Sequence, residues 1–205
     1  PAAALVRALL LTTAHDVGMT GPDFEYGYGL LDVAQAVSCA RRKQYGQQQI
    51  QKGSPQKFPF EVETGASRLQ LTLTWDDLPG ALTPQKSLQN DLDSWLTDPS
   101  GQVHRPWSKP HQPDSVSVAA RSGVDTLNTV EQITVVQPAP GTWTLWVDPS
   151  RLTTPQQSCA WAWHTRDTSL FQWDFPRHGD VLTARKDAFL YWNLPNPTSV
   201  QGALS

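Results

Sequence analysis

The chain has 205 residues and a formal net charge of −3. It carries no basic stripe, which excludes nucleic acid as a partner, and its longest apolar run, residues 2–11 interrupted by Arg7, falls short of the roughly 20 residues that cross a bilayer. That run also lacks the basic n-region and cleavage site of a signal peptide, and a chain opening on Pro1 reads as a piece of something longer.

Residues 2–13 are apolar nearly all round, so they predict a helix packed on more than one side, with Pro1 suited to its first turn. His15, Asp16, Gly18, Gly21 and Pro22 predict a loop, and Tyr26-Gly27-Tyr28-Gly29 a glycine-bracketed turn. Asp32, three residues before Gln35, predicts the N-cap of a second helix, with Val33, Ala36 and Val37 as its buried stripe and Arg41, Arg42 and Lys43 at its end. The Gln-rich residues 45–57, ending in Gly53-Ser54-Pro55, read as a linker or extended arm.

Strand signals begin at Phe58, Phe60 and Val62. They continue in Leu69, Leu71, Leu73 and Trp75, which alternate with Gln70, Thr72 and Thr74, the pattern of a strand with one buried face. Leu92, Trp95 and Leu96 form the next apolar segment, closed by the turn Asp98-Pro99-Ser100-Gly101, and residues 104–114 read as a long loop. Residues 116–120 predict a short edge strand; 130–136, 143–147 and 159–164 predict better ones. Seven or eight short strands separated by turns imply a mainly β fold, an antiparallel β-sandwich or jelly roll preceded by two helices. Nine tryptophans suit that class. Trp75, Trp95 and Trp143 are expected inside, while Trp146, Trp161, Trp163, Trp173 and Trp192 are less constrained.

The two cysteines, Cys39 and Cys159, lie in no metal or redox spacing and read as isolated buried thiols rather than a pair across the chain. The five histidines are scattered, with surface or structural roles. Asp91 and Asp93 lie two apart on one strand face, where a hard cation such as calcium would find carboxylate oxygens. The alternative is that Asn90 and Asp91 brace loop N–H groups and Asp93 faces solvent.

ALVRALLLTTAHDVG and YGYGLLDVAQAV, through Val6, Arg7, Leu10, Thr13, Ala14, Gly27, Gly29, Leu30, Leu31 and Asp32, resemble the last two helices of the subtilisin-like serine protease catalytic domain. LTLTWDDLPG, QNDLDSWLTDPSG, NTVEQITVV and APGTWTLWV are similar, in the same order, to the C-terminal β-domain of certain secreted bacterial alkaline subtilases. The resemblance implies residues 1–44 as the end of a catalytic domain, 45–57 as linker, 58–166 as an accessory sandwich and 167–205 as an unassigned aromatic-rich tail. It implies an extracellular serine endopeptidase acting on proteins, with the sandwich docked on its own catalytic domain. It supplies no catalytic residue here, because no Ser, His or Asp of this chain matches a triad position. It also implies calcium in the β-domain, with Asp125 and Asn128 of RSGVDTLNTVE joining Asp91 and Asp93. A polysaccharide- or protein-binding module and a catalytically dead subtilase relative stand as alternatives.

Overall fold

Residues 2–80, 88–110, 112, 115–167, 172–175 and 191–193 are described by the structure, a computed structural model. The alternation of leucines with Gln and Thr in residues 69–75 falls in β3 (Ala66–Trp75), which pairs antiparallel with β8 (Val130–Val136) on one side and β10 (Gln156–Asp167) on the other. Beyond β10 lies β1 (Tyr45–Gln51), giving the sheet order β1-β10-β3-β8. The second sheet, β2-β9-β4-β5, joins Gln56–Val62, Gly141–Leu152, Asn90–Thr97 and Val103–His104, again with antiparallel neighbours.

The two sheets share one core. Leu69, Leu71, Leu73, Trp75 and Ile133 from the first meet Leu92, Leu96, Trp143, Leu145 and Val147 from the second, all essentially sealed from solvent. Among the described residues the fold is thus mainly β, with two helices and antiparallel sheets. Two small ribbons complete it: β6 (Trp107–Ser108) with β7 (Arg121–Ser122), and β11 (Gln172–Phe175) with β12 (Tyr191–Asn193). Residues 195–205, the end of the unassigned tail, lie outside the described residues.

Several expectations change. Residues 45–51 are not linker but the edge strand β1, with Gly46 opposite Trp161. A side chain at Gly46 would strike the Trp161 indole, so the glycine is what lets that ring lie flat against the strand. Residues 116–120 form a turn rather than a strand, closed by the Val118 N–H on the Ser115 carbonyl, and the pairing edge is β7 just after it. β3 is buried on both faces, because α1 (Ala2–Thr13) covers the side that carries Gln70, Thr72 and Thr74.

That helix–sheet contact explains the odd chemistry of both surfaces. Ala4 and Ala8 are small enough to bring α1 close to the sheet, and the polar side chains beneath donate to helix carbonyls. Thr74 Oγ1 reaches Ala4 O at 2.7 Å, and Gln70 Nε2 and Gln132 Nε2 both reach Leu11 O, at 3.3 and 3.0 Å. Carbonyls at a helix C-terminus lack intrahelical partners; here the sheet supplies donors where α1 has no basic residue in its last turn. Asp32 caps α2 (Val33–Arg41) as expected, its carboxylate accepting the Gln35 N–H at 2.9 Å. Of the expected stripe only Ala36 is buried, joined by Cys39, whereas Val33 and Val37 stand exposed.

Candidate functional site

The outer face of the second sheet gathers most of the solvent-side chemistry. Side chains directly opposite on paired strands share a face, so the register Asp93↔Asp148, Trp95↔Trp146 and Thr97↔Thr144 lays down successive rows across β4 and β9. Trp95 therefore points outward with Asp93, contrary to the expectation that it fills the core; period two forbids it from sharing a face with Leu92 and Leu96. Its ring stacks on Trp146, with centroids 5.8 Å apart and planes within 6°, and Arg105 lies over it at 5.2 Å. Trp75, Trp143 and Trp161 are inside, and Trp163 packs on Phe60 at the core's margin. The side chains of Trp173 and Trp192 lie outside the described residues.

Beside the tryptophans stands the carboxylate row. The register slips between Asp91 and Asp93, where β9 spends one extra residue around Pro149-Ser150. A bulge of this kind re-aims side chains, and here Arg151 comes over both carboxylates, Nη1 at 3.2 Å from Asp91 Oδ2 and Nε at 3.4 Å from Asp93 Oδ2. Asp93 is nine-tenths buried, and its Oδ1 has no hydrogen-bond partner among the described residues. Burial pushes the Asp93 carboxyl above its ordinary range, and Asp91 and Asp148 push the same way against the pull of Arg151. The Arg151 guanidinium is correspondingly held in its charged form by Asp91 and Asp93.

Asp125 and Asn128 are spent on their own loop. Asp125 Oδ1 accepts the Leu127 and Asn128 N–H groups, and Oδ2 accepts Asn128 Nδ2 at 2.6 Å. Asn90 does brace a loop, its Oδ1 accepting the N–H groups of Thr153 and Thr154 and its Nδ2 donating to Gln157 Oε1 at 2.7 Å. Among the described residues no group of three or more His, Cys, Asp and Glu side chains is arranged to hold a metal. Calcium needs six to eight oxygens around one point; a guanidinium between two of the candidates and a closed hydrogen-bonded loop around the others do not fit that shell.

Behind Asp93, on the inner face, Glu131 is completely buried. Ser94 Oγ donates to its Oε2 at 2.5 Å, and Oε1 has no hydrogen-bond partner among the described residues. Burial pushes this carboxyl well above its usual value, with Asp93 and Asp125 adding to the shift. Its parity with Ile133 along β8 was the available signal that it faces inward. Arg151 offered no such signal, because its partners are set by the bulge.

No arrangement for nucleophilic catalysis occurs among the described residues. His15 Nε2 meets Asp32 Oδ2 at 2.9 Å, but the nearby Thr13 hydroxyl donates to Leu9 O, so the pair ties the loop to the cap of α2. His104 lies 3.5 Å from Asp98, and the imidazole of His164 is pushed down to about 4 by burial. His111 and His178 lie outside the described residues. Both thiols are free and buried, Cys39 against helix α1 and Cys159 in the sandwich core, and burial pushes them up to about 11 and about 12.

A different surface is unpartnered within the described residues. Ala3, Val6, Arg7, Leu10 and Leu11 line an apolar groove along α1, with the Arg7 guanidinium at its edge donating to the Trp75 carbonyl at the end of β3. Val6 is 52% exposed, and on α2 Val33 and Val37, one turn apart, are 54% and 44% exposed. No helix among the described residues is long and apolar enough to cross a membrane.

No family model and no curated protein matches the chain. Among solved structures it is similar to a Bacillus licheniformis lipase in propeptide form, at 15% identity over 60% of this chain and 22% of that one, with a TM-score of 0.37. It is similar to tripeptidyl peptidase 2 at 12% identity over 63% and 9%, TM-score 0.34. A third likeness is to the Aeromonas sobria serine protease in complex with its chaperone, at 16% identity over 78% and 39%, TM-score 0.29. The chain spans under two fifths of the length of each of these.

Proposed function

We propose that the chain is the C-terminal part of a secreted subtilisin-like serine endopeptidase, in which α1 and α2 close the catalytic domain and the sandwich docks on that domain and stabilises it. Proteins are the substrates, cleaved through a serine acyl-enzyme on the catalytic domain; this part contributes no triad residue. The observation that carries the reading is the groove of α1 with the exposed valines of α2. Helices that are apolar on the side facing away from their own sheet are suited to a second sheet. These are the same helices whose sequences resemble the end of the catalytic domain.

The test is the reading frame around this chain together with its product. A G-T-S-M-A-like segment and triad Asp and His motifs ahead of Pro1, with caseinolytic activity abolished by a serine-directed reagent, are expected. A frame without them overturns the proposal.

The stacked Trp95–Trp146 pair favours a second reading, a binding module for polysaccharide or protein. Retention of the chain on insoluble polysaccharide or on casein, lost in a Trp95→Ala, Trp146→Ala double variant, would support it; no retention on either leaves the scaffold role.

A further inference from the structure

The geometry points to Arg151 as a resident counter-cation: its guanidinium takes, between Asp91 and Asp93, the place that a bound divalent ion would take, so that the β4–β9 pairing is held by a covalently attached charge and needs no metal.

The strand pairing itself creates the demand for a cation. Asp93 and Asp148 are directly opposite one another, and Asp91 follows two residues along on the same face. Like charges directly opposite on paired strands are destabilising, and Asp93 is too buried for water to screen it. The groups bearing on Asp93 are Asp91, Asp148, Arg151 and Arg105, with Glu131 on the far side of the strand, where burial favours its neutral form. Among these, Arg151 alone reaches two of the carboxylates, and it does so because of the bulge at Pro149-Ser150. Asp148 turns its Oδ1 to the Ser150 N–H at 2.8 Å, which fixes the bulge that presents Arg151. A guanidinium offers donors to two carboxylates in a fixed planar fork, whereas an ammonium offers three rotatable donors on a single atom.

The test is thermal unfolding of the whole chain and of three variants, Arg151→Met, Asp93→Asn and the two combined, each in millimolar chelator and in millimolar calcium. The wild-type midpoint is expected to move by less than about 1 °C between the two media. Arg151→Met is expected to lose about 3–6 °C, an effect of the size of a partly exposed charge pair plus the repulsion it releases. Adding Asp93→Asn to Arg151→Met is expected to recover at least half of that loss, although Asp93→Asn alone lowers the midpoint. Two results would overturn the inference: a wild-type midpoint that rises by several degrees with calcium, or an Asp93→Asn change as damaging in the Arg151→Met background as in the wild type.

Discussion

Replacing Glu131 by glutamine should make the protein more stable as the pH rises. Glu131 is fully buried, and among the described residues only one of its carboxyl oxygens is hydrogen-bonded, accepting from Ser94 Oγ at 2.5 Å. Burial holds its folded-state pKa well above the ordinary 4.5. A group that binds its proton more tightly when folded contributes its full stability below the unfolded value, and that contribution is lost as pH rises through the folded value. Within that window each pH unit costs up to about 1.4 kcal/mol. For a chain of this size that corresponds to about 3–6 °C in the unfolding midpoint. Glutamine keeps the shape and cannot ionise, so Glu131→Gln removes the slope. Unfolding followed by circular dichroism from about pH 5 to about pH 8 should show the midpoints diverging, with the glutamine variant ahead at the alkaline end. Parallel curves for the two proteins would refute the assignment of a neutral buried carboxyl.

At the other end of the pH scale, Asp98 is pushed down to about 2, chiefly by the Ser100 hydroxyl and then by the Gln102 N–H and His104. Its stabilisation is present above the ordinary 3.8 and is lost as pH falls through about 2. Asp98→Asn should therefore flatten the acid limb of the stability curve, and melts at acid pH that fall as steeply as wild type would contradict this. Gly29 has φ +98°, and a side chain there would strike the His15 carbonyl that accepts the Leu30 N–H at 2.8 Å. Gly29→Ala should cost at least about 1–3 kcal/mol, whereas Gly27→Asn, at φ +64° with open space, should be far milder; equal midpoints for the two would sink the distinction. The exposed apolar face should make the isolated chain associate and bind hydrophobic dye, and Val6→Asp with Val37→Asp should reduce both without lowering the unfolding midpoint, as checked by sedimentation and fluorescence.

The strands were legible in the sequence because period two writes the core face directly. Leu69, Leu71 and Leu73 are where alternation puts them, and Asp32 caps α2 where its spacing to Gln35 puts it. What alternation cannot say is what covers the second face. The Thr and Gln residues of β3 read as solvent-exposed, yet α1 lies on them, because small alanines and paired hydrogen bonds make a polar sheet face a good seat for a helix backbone. β1 was hidden for a related reason: a run of glutamines on an edge strand has polar side chains on its outer positions and only Ile50 fully buried. Val33, Ala36 and Val37 share a helical spacing, but helix packing kept only Ala36 inside and added Cys39. In the site, Asp91 and Asp93 were found by their spacing. Arg151 was not, because the expected strand ended at Val147, and the bulge around Pro149-Ser150 carries the chain on to Arg151.

The proposed docking of α1 and α2 on a protease domain can be probed in the full-length product of the surrounding reading frame. Proteolytic activity on casein and its thermal half-life would be measured for wild type, for Val6→Asp with Val37→Asp, and for Trp95→Ala with Trp146→Ala. The expected product is a serine-reagent-sensitive protease whose half-life collapses in the valine variant and is preserved in the tryptophan variant. Absence of proteolysis, or a valine variant as long-lived as wild type, would contradict it.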